Sequence, residues 1–228
     1  MKNFSIKEEI KKGWHLFKKD KVQLIVLTLA FSILTNGGNL DKLYSDIPMI
    51  FKVIIGVALA VLAIIVNIGW IKTLLKVVDG GKAEFGDLFA YSGLFFKFLG
   101  AVIMLGLAVG LAGAVGAGLS VLLWGIHFSL AMLGGLATLV AVIYLSLRFV
   151  FVAMLVVDKE EVGISEAFRV SSKMTEGIKL KLLGLCIISI LLAIMGLLAL
   201  VVGYLVAVPV STLALLSVYR KALPAELK

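Results

Sequence analysis

Residues 98–147 contain no aspartate, glutamate, lysine or arginine, an uncharged run of 50 residues. A helix needs about 20 apolar residues to cross a bilayer. The run is therefore too long for one crossing and right for two joined by a short turn. That turn is expected between Ser120 and Ser129, where Trp124 and His127 suit a membrane interface. Composition agrees: 61% of the 228 residues are hydrophobic and 16% charged, against about half and a quarter in a soluble globular chain. Such a chain has too much apolar surface to hide in water.

Three further uncharged runs complete the pattern. Residues 22–40 and 53–71 each give 19, the second extendable to 48–78 if Lys52 and Lys72 snorkel. Residues 182–219 give 38, enough for a tight hairpin turning between Gly196 and Gly203. Backbone polar groups in hydrocarbon must be satisfied within the segment, which selects helices. The expected fold is all-α, a polytopic membrane helical bundle of six transmembrane helices forming a single domain over 1–228. The spans fall at about 22–40, 48–78, 98–120, 129–157, 180–199 and 201–220. About 21 polar, lysine-rich residues precede the first span, which reads as a retained signal anchor.

Charge placement orients the spans. Of 22 lysines and arginines, 20 fall in the N-terminal segment, in 72–97, in 148–181 and at the C-terminus, leaving Lys42 and Lys52 for the other side. By the positive-inside rule both termini are expected in the cytoplasm of a multi-pass cell-membrane protein. The formal charge of +8 is then a topology signal and an attraction to anionic lipid, and nucleic acid is not an expected partner. One cysteine, Cys186, and two distant histidines, His15 and His127, give no metal cluster. No cofactor is expected.

Each hairpin follows a similar polar segment. Ile6, Glu8, Ile10, Lys11 and Lys21 match Ile164, Glu166, Phe168, Arg169 and Lys179 at an offset of 158. A weaker middle copy runs from Phe85-Gly86-Asp87-Leu88-Phe89 to Lys97. Apolar residues at 6, 10, 14 and 17 with lysines between them predict an amphipathic helix within 1–21, lying in the cytoplasmic interface. A second such helix is expected at 163–177, for three interfacial helices in all. The expected anchors are Trp14, Lys18, Lys19, Arg169 and Lys173. The repeat unit would be an interfacial helix plus a two-span hairpin.

Polar residues inside the spans are few. Arg148 stands ten residues before Asp158, about 15 Å of helix from the cytoplasmic end, and an arginine at depth marks a functional site or a packing clamp. Asn67 in the second span is the other polar candidate, and Tyr144 lies one turn from Arg148. The three would make a small polar pocket for a lipid phosphate or carboxylate. Gly106, Gly110, Gly113 and Gly116 in the third span form small-xxx-small patterns for close helix packing. Pro209 is expected to kink or break the last span. No span carries a carboxylate, which disfavours proton-coupled transport, and no catalytic residues are expected.

Several stretches together carry a resemblance. They are Ser5 to Phe17, Gly69-Trp70-Ile71, Asp79-Gly80, the Phe85–Phe89 motif, Arg148-Phe149, Asp158, Ile164 to Ser171, Lys181 to Gly184, and Pro209 through Tyr219-Arg220. They resemble a broad family of uncharacterised six-span prokaryotic integral-membrane proteins. That family is similar to the membrane domain fused to some bacterial glycerophosphodiester phosphodiesterases. The resemblance implies a six-helix membrane fold and no catalytic residues, since in the fused enzymes the hydrolase is a separate soluble domain. Residues and resemblance together lead to the expectation of a non-enzymatic membrane protein that binds lipid or an amphiphile, or serves as an accessory subunit. The alternative is a transporter or exporter component for small molecules or peptides. Membrane lipids are the expected partners, with a homo-oligomer or a second membrane protein left open.

Overall fold

The computed structural model describes residues 4–36, 48–198 and 202–227, and among them there is no strand. Residues 37–40 of the first expected span, Lys42, and the tip of the last hairpin at 199–201 lie outside the described residues. The described residues form nine α-helices, in order α1 (Ile6–Lys19), α2 (Lys21–Asn36), α3 (Met49–Val78), α4 (Phe95–Trp124), α5 (Phe128–Arg148), α6 (Val152–Asp158), α7 (Ile164–Thr175), α8 (Lys179–Leu198) and α9 (Val202–Ala222). Among the described residues five stretches are long and apolar enough to cross a membrane: Met49–Val78, Phe85–Trp124, Phe128–Asp158, Lys179–Leu198 and Gly203–Ala222. The described part of α2 is apolar but, at 16 residues, reaches only about 24 Å.

Three hairpins form the body: α2–α3, α4–α5 and α8–α9. The turn between α4 and α5 falls at Gly125–His127, inside the expected window, and His127 Nδ1 accepts from the Ser129 amide at 3.3 Å as the α5 cap. The last hairpin closes on glycine. A Cβ added at Gly196 would lie 2.6 Å from the Gly203 backbone, so α8 and α9 meet there main chain to main chain. α9 runs through Pro209 as one helix, so the expected break is not seen.

The short polar helices dock in a cyclic pattern. α1 packs on α9, the 3-10 turn Phe85–Leu88 packs on α3, and α7 packs on α6, the continuation of α5. Each precedes one hairpin and leans on the second arm of another. The same register recurs in the contacts. Cδ1 of Ile6 would lie 2.8 Å from a Cβ at Gly184, Cδ1 of Ile164 2.9 Å from one at Gly100, and Phe85 lines a cavity with Val26. The threefold pattern is thus repeated in space. Leu24, Phe98 and Leu182 are buried, and so, one turn on, are Leu27, Ala101 and Leu185.

The core sits at the end where these short helices gather. Leu24, Leu27, Ile68, Leu74, Leu88, Phe151, Leu155, Met174, Leu182, Leu185, Leu213 and Tyr219 are its largest fully buried side chains. Toward the opposite end the hairpins part. α4 beyond Ala101 and most of α5 keep only the stripe between them covered, and Leu111, Val121 and Leu133 are more than half exposed. That surface suits hydrocarbon rather than water.

The face that α1 buries against the rest of the protein lies beside the 6-10-14-17 stripe. Glu9, Gly13, Leu16 and Phe17 are buried, Ile6 and Ile10 are half-buried, and Trp14 is 43% exposed. α1 turns this face to α9, where a Cβ at Gly13 would strike the Val210 carbonyl at 2.5 Å. Of the four glycines expected to pack, Gly113 and Gly116 face a neighbour among the described residues. A Cβ at Gly116 would lie 2.2 Å from Thr138 Oγ1, whereas Gly106 and Gly110 have nothing within 4 Å. Gly116→Val should therefore open the α4–α5 hairpin and lower the melting temperature in detergent by several degrees. Gly106→Val should leave it unchanged, and equal shifts would refute this assignment.

Candidate functional site

Arg148 closes α5, and the helix does not continue as expected to 157. After a turn over residues 149–151 the chain restarts as α6. In an unbroken helix the Arg148 carbonyl would accept from the Val152 amide, but that amide turns to the Phe149 carbonyl at 3.1 Å. Two buried hydroxyls from α7 replace it: Ser171 Oγ donates to the Arg148 carbonyl at 3.1 Å, and Thr175 Oγ1 shares its one proton between that carbonyl at 3.2 Å and the Ser172 carbonyl at 3.1 Å. A helix break among apolar segments needs this satisfaction. Arg148 consequently stands at the break between α5 and α6, against α7, and not partway along one unbroken helix.

Its side chain has polar company but no carboxylate. Arg148 Nε donates to Ser172 Oγ at 2.7 Å, and the guanidinium stacks on Phe149 with 5.6 Å to the ring centroid. One turn back, Tyr144 is 45% exposed. Lys179, the first residue of α8, donates to the Tyr144 hydroxyl at 2.7 Å and lies 4.0 Å from its ring centroid. The chain reaches α8 from α7 through Gly177, whose φ of 80° is left-handed and favours glycine. Neither Arg148 nor Lys179 forms an ion pair among the described residues. Two cations outside any ion pair therefore flank one exposed aromatic ring, with Glu176 near enough to act on Tyr144 through space. Such a group attracts a phosphate or carboxylate from outside the chain.

Several other cations at this end are held by carboxylates or carbonyls. Arg220 grips Asp79 with Nε at 2.9 Å and Nη2 at 2.5 Å, and reaches Asp158 with Nη1 at 2.6 Å. Tyr219 donates to the same Asp158 oxygen at 2.8 Å. These residues close the ends of α3, α6 and α9 into one node. Lys72 joins Glu160 at 2.9 Å and the Val157 carbonyl at 3.1 Å, Lys76 joins Asp87 at 3.1 Å and Glu84 at 3.3 Å, and Lys97 donates to the Glu160 carbonyl. Lys221 of α9 pairs with the wholly buried Glu9 of α1.

Of the three residues expected to form a polar pocket, the structure joins Arg148 and Tyr144 and leaves out Asn67. Asn67 is half-buried on α3 and shares no hydrogen bond with Arg148 among the described residues. Lys179 and Ser172 take its place. Neither stood out in the sequence, because each comes to the site from a different helix. The expected anchors lie outward: Trp14 stacks on Phe17 with Lys18 at 5.3 Å from its ring, Lys19 is exposed, and Arg169 pairs with Glu166 at 3.1 Å. Lys173 is exposed on α7. Among the described residues no three histidine, cysteine, aspartate or glutamate side chains gather as a metal site requires. Comparison with family models, with curated proteins and with solved structures gave no match.

Proposed function

We propose that the chain is a non-enzymatic integral membrane protein that binds anionic lipid or a similar amphiphile where its spans meet its basic surface. The observation that carries this reading is the Arg148–Tyr144–Lys179 group. Two cations without acidic partners sit beside an exposed aromatic, at the foot of spans whose outer faces are apolar. The surrounding charge supports a cytoplasmic placement of this end. The basic segments 6–21, 72–97, 148–181 and 220–221 all converge on it, whereas Lys52 opens α3 at the far end. The resemblance to the six-span membrane family is part of the same proposal, with α2 as the sixth span.

Reconstitution into equal parts phosphatidylglycerol and phosphatidylcholine, followed by native mass spectrometry, tests it. The protein should carry phosphatidylglycerol well above its bulk share. The Arg148→Gln/Lys179→Gln variant should lose that preference by about tenfold, as expected for a charge-assisted contact of roughly 1.5–3 kcal/mol. An undiminished preference in the double variant would remove the site.

A further inference from the structure

A second arrangement, remote from Arg148, has the shape of a whole lipid. Beneath α1 runs a groove of about 580 Å³, lined by Ile10 and Trp14 of α1, Leu192 of α8, and Gly203, Val206, Ala207 and Val210 of α9. The α9 residues fall at i, i+3, i+4 and i+7, one helix face. Gly203 and Ala207 keep it concave. Lys7 and Lys11 are the charged residues of its lining, and both come from α1. Around the start of α1 lies a second cavity of about 600 Å³, formed by residues 4–8 together with Lys181 of α8 and Lys221 of α9. Lys7 belongs to both. An apolar trough of ligand-binding size thus adjoins a compartment with three ammonium groups from three helices.

The two compartments lie in the order a membrane imposes. The groove reaches Leu192 and Gly203, toward the tip of the last hairpin, and the basic cavity lies at Lys181 and Lys221, at its foot. A chain in the groove would put its headgroup at the lysines. Glu8 is the acidic residue on its wall, and Glu9, outside the lining, pairs with Lys221. The lining itself carries three lysines to one glutamate, plus the Ser5 hydroxyl. Lysine binds phosphate as a mobile point charge, and donors from three helices are better matched by the several oxygens of a phosphate than by the two of a carboxylate.

We infer that this double cavity binds one phosphate-headed, single-chain amphiphile, its acyl chain under α1 between Trp14 and the α9 face and its phosphate at Lys7, Lys181 and Lys221. The inference rests on the reading of the chain as a lipid-binding membrane protein but not on the Arg148 group. α1 becomes the cover of the site, held down by the Glu9–Lys221 pair.

The test uses the full-length protein in phosphatidylcholine nanodiscs, with probes brominated on the acyl chain. The signal is the quenching that disappears in a Trp14→Phe protein. Palmitoyl lysophosphatidate should quench at a concentration at least about tenfold lower than palmitoylglycerol or palmitate. Lys7→Gln/Lys181→Gln, which changes residues outside the core, should erase that advantage, and Val206→Phe should abolish quenching by every chain. Arg148→Gln/Lys179→Gln should leave it intact, so failure of one site is distinguishable from failure of the other. Equal quenching by the neutral, carboxylate and phosphate amphiphiles would overturn the inference, as would an advantage that survives loss of both lysines. Displacement of the probe by equimolar glycerol 3-phosphate would also overturn it, making the cavity a soluble-phosphate site.

Discussion

Arg220→Met is expected to destabilise the protein by about 3 kcal/mol, the low end of the range for breaking a buried ion pair by removing one partner. The guanidinium makes three hydrogen bonds to two carboxylates on separate helix ends, and only 23% of its side chain is exposed. Methionine keeps much of the packing but leaves Asp158, 9% exposed, with its charge supported by Tyr219 and a distant Lys159 at 3.8 Å. Asp79 is half exposed, so Asp79→Asn should cost only about 1 kcal/mol, near the ceiling for a solvated pair. Arg220→Lys should recover little, since an ammonium cannot place a fork on one carboxylate while reaching a second. Denaturant unfolding in mild detergent orders the variants. A destabilisation by Asp79→Asn as large as that by Arg220→Met would show that Asp158 is not the main partner.

The second large effect is expected at Gly69. A Cβ there would stand 2.1 Å from the Leu88 carbonyl oxygen and 2.4 Å from its Cα, all backbone atoms. The strand of contacts that fixes Leu88 leaves no easy retreat. Leu88 is wholly buried, and its neighbour Asp87 is tied to Lys76. Gly69→Val should therefore push the Phe85–Leu88 turn off α3, at a cost of about 3 kcal/mol or more, the upper range for overpacking. Gly86→Ala, in the same turn with nothing within 4 Å, is the control and should be neutral. Recovery of monodisperse protein and its melting temperature distinguish the two. A stable Gly69→Val protein would mean that the turn is not docked as described.

What the sequence made legible follows from the range of the forces involved. Hydropathy is local and summed along the chain, so the 50-residue run announced two helices and placed their turn within a few residues. The interruption after Arg148 was invisible because residues 149–157 are as apolar as those before them. Its cause is two hydroxyls, Ser171 and Thr175, that arrive from α7. Nothing in the local sequence marks Glu9 for burial, because its partner Lys221 comes from a distant helix. The glycine patterns on α4 showed that close approach was available but not on which side, so Gly113 and Gly116 met a partner while Gly106 and Gly110 did not. At the candidate site, Arg148 and Tyr144 could be paired because one helical turn separates them. Lys179 and Ser172 belong to the tertiary fold. Asp79, Asp158, Tyr219 and Arg220 were noted only as parts of a resemblance. Their meeting in one node gives them a physical role in holding the packed end together.

The docking of α1 on α9 sets an order of events during synthesis. Glu9 and Lys221 are 212 positions apart, so by the time the ribosome completes the last helix, α1 has been outside the tunnel for most of translation. Until then its buried carboxylate and its Gly13 face have no cradle. Docking of α1 therefore waits for α9, although α1 is made long before it. A nascent chain arrested before α9 should expose Gly13 and Leu16 to protease, and release of the finished chain should protect them.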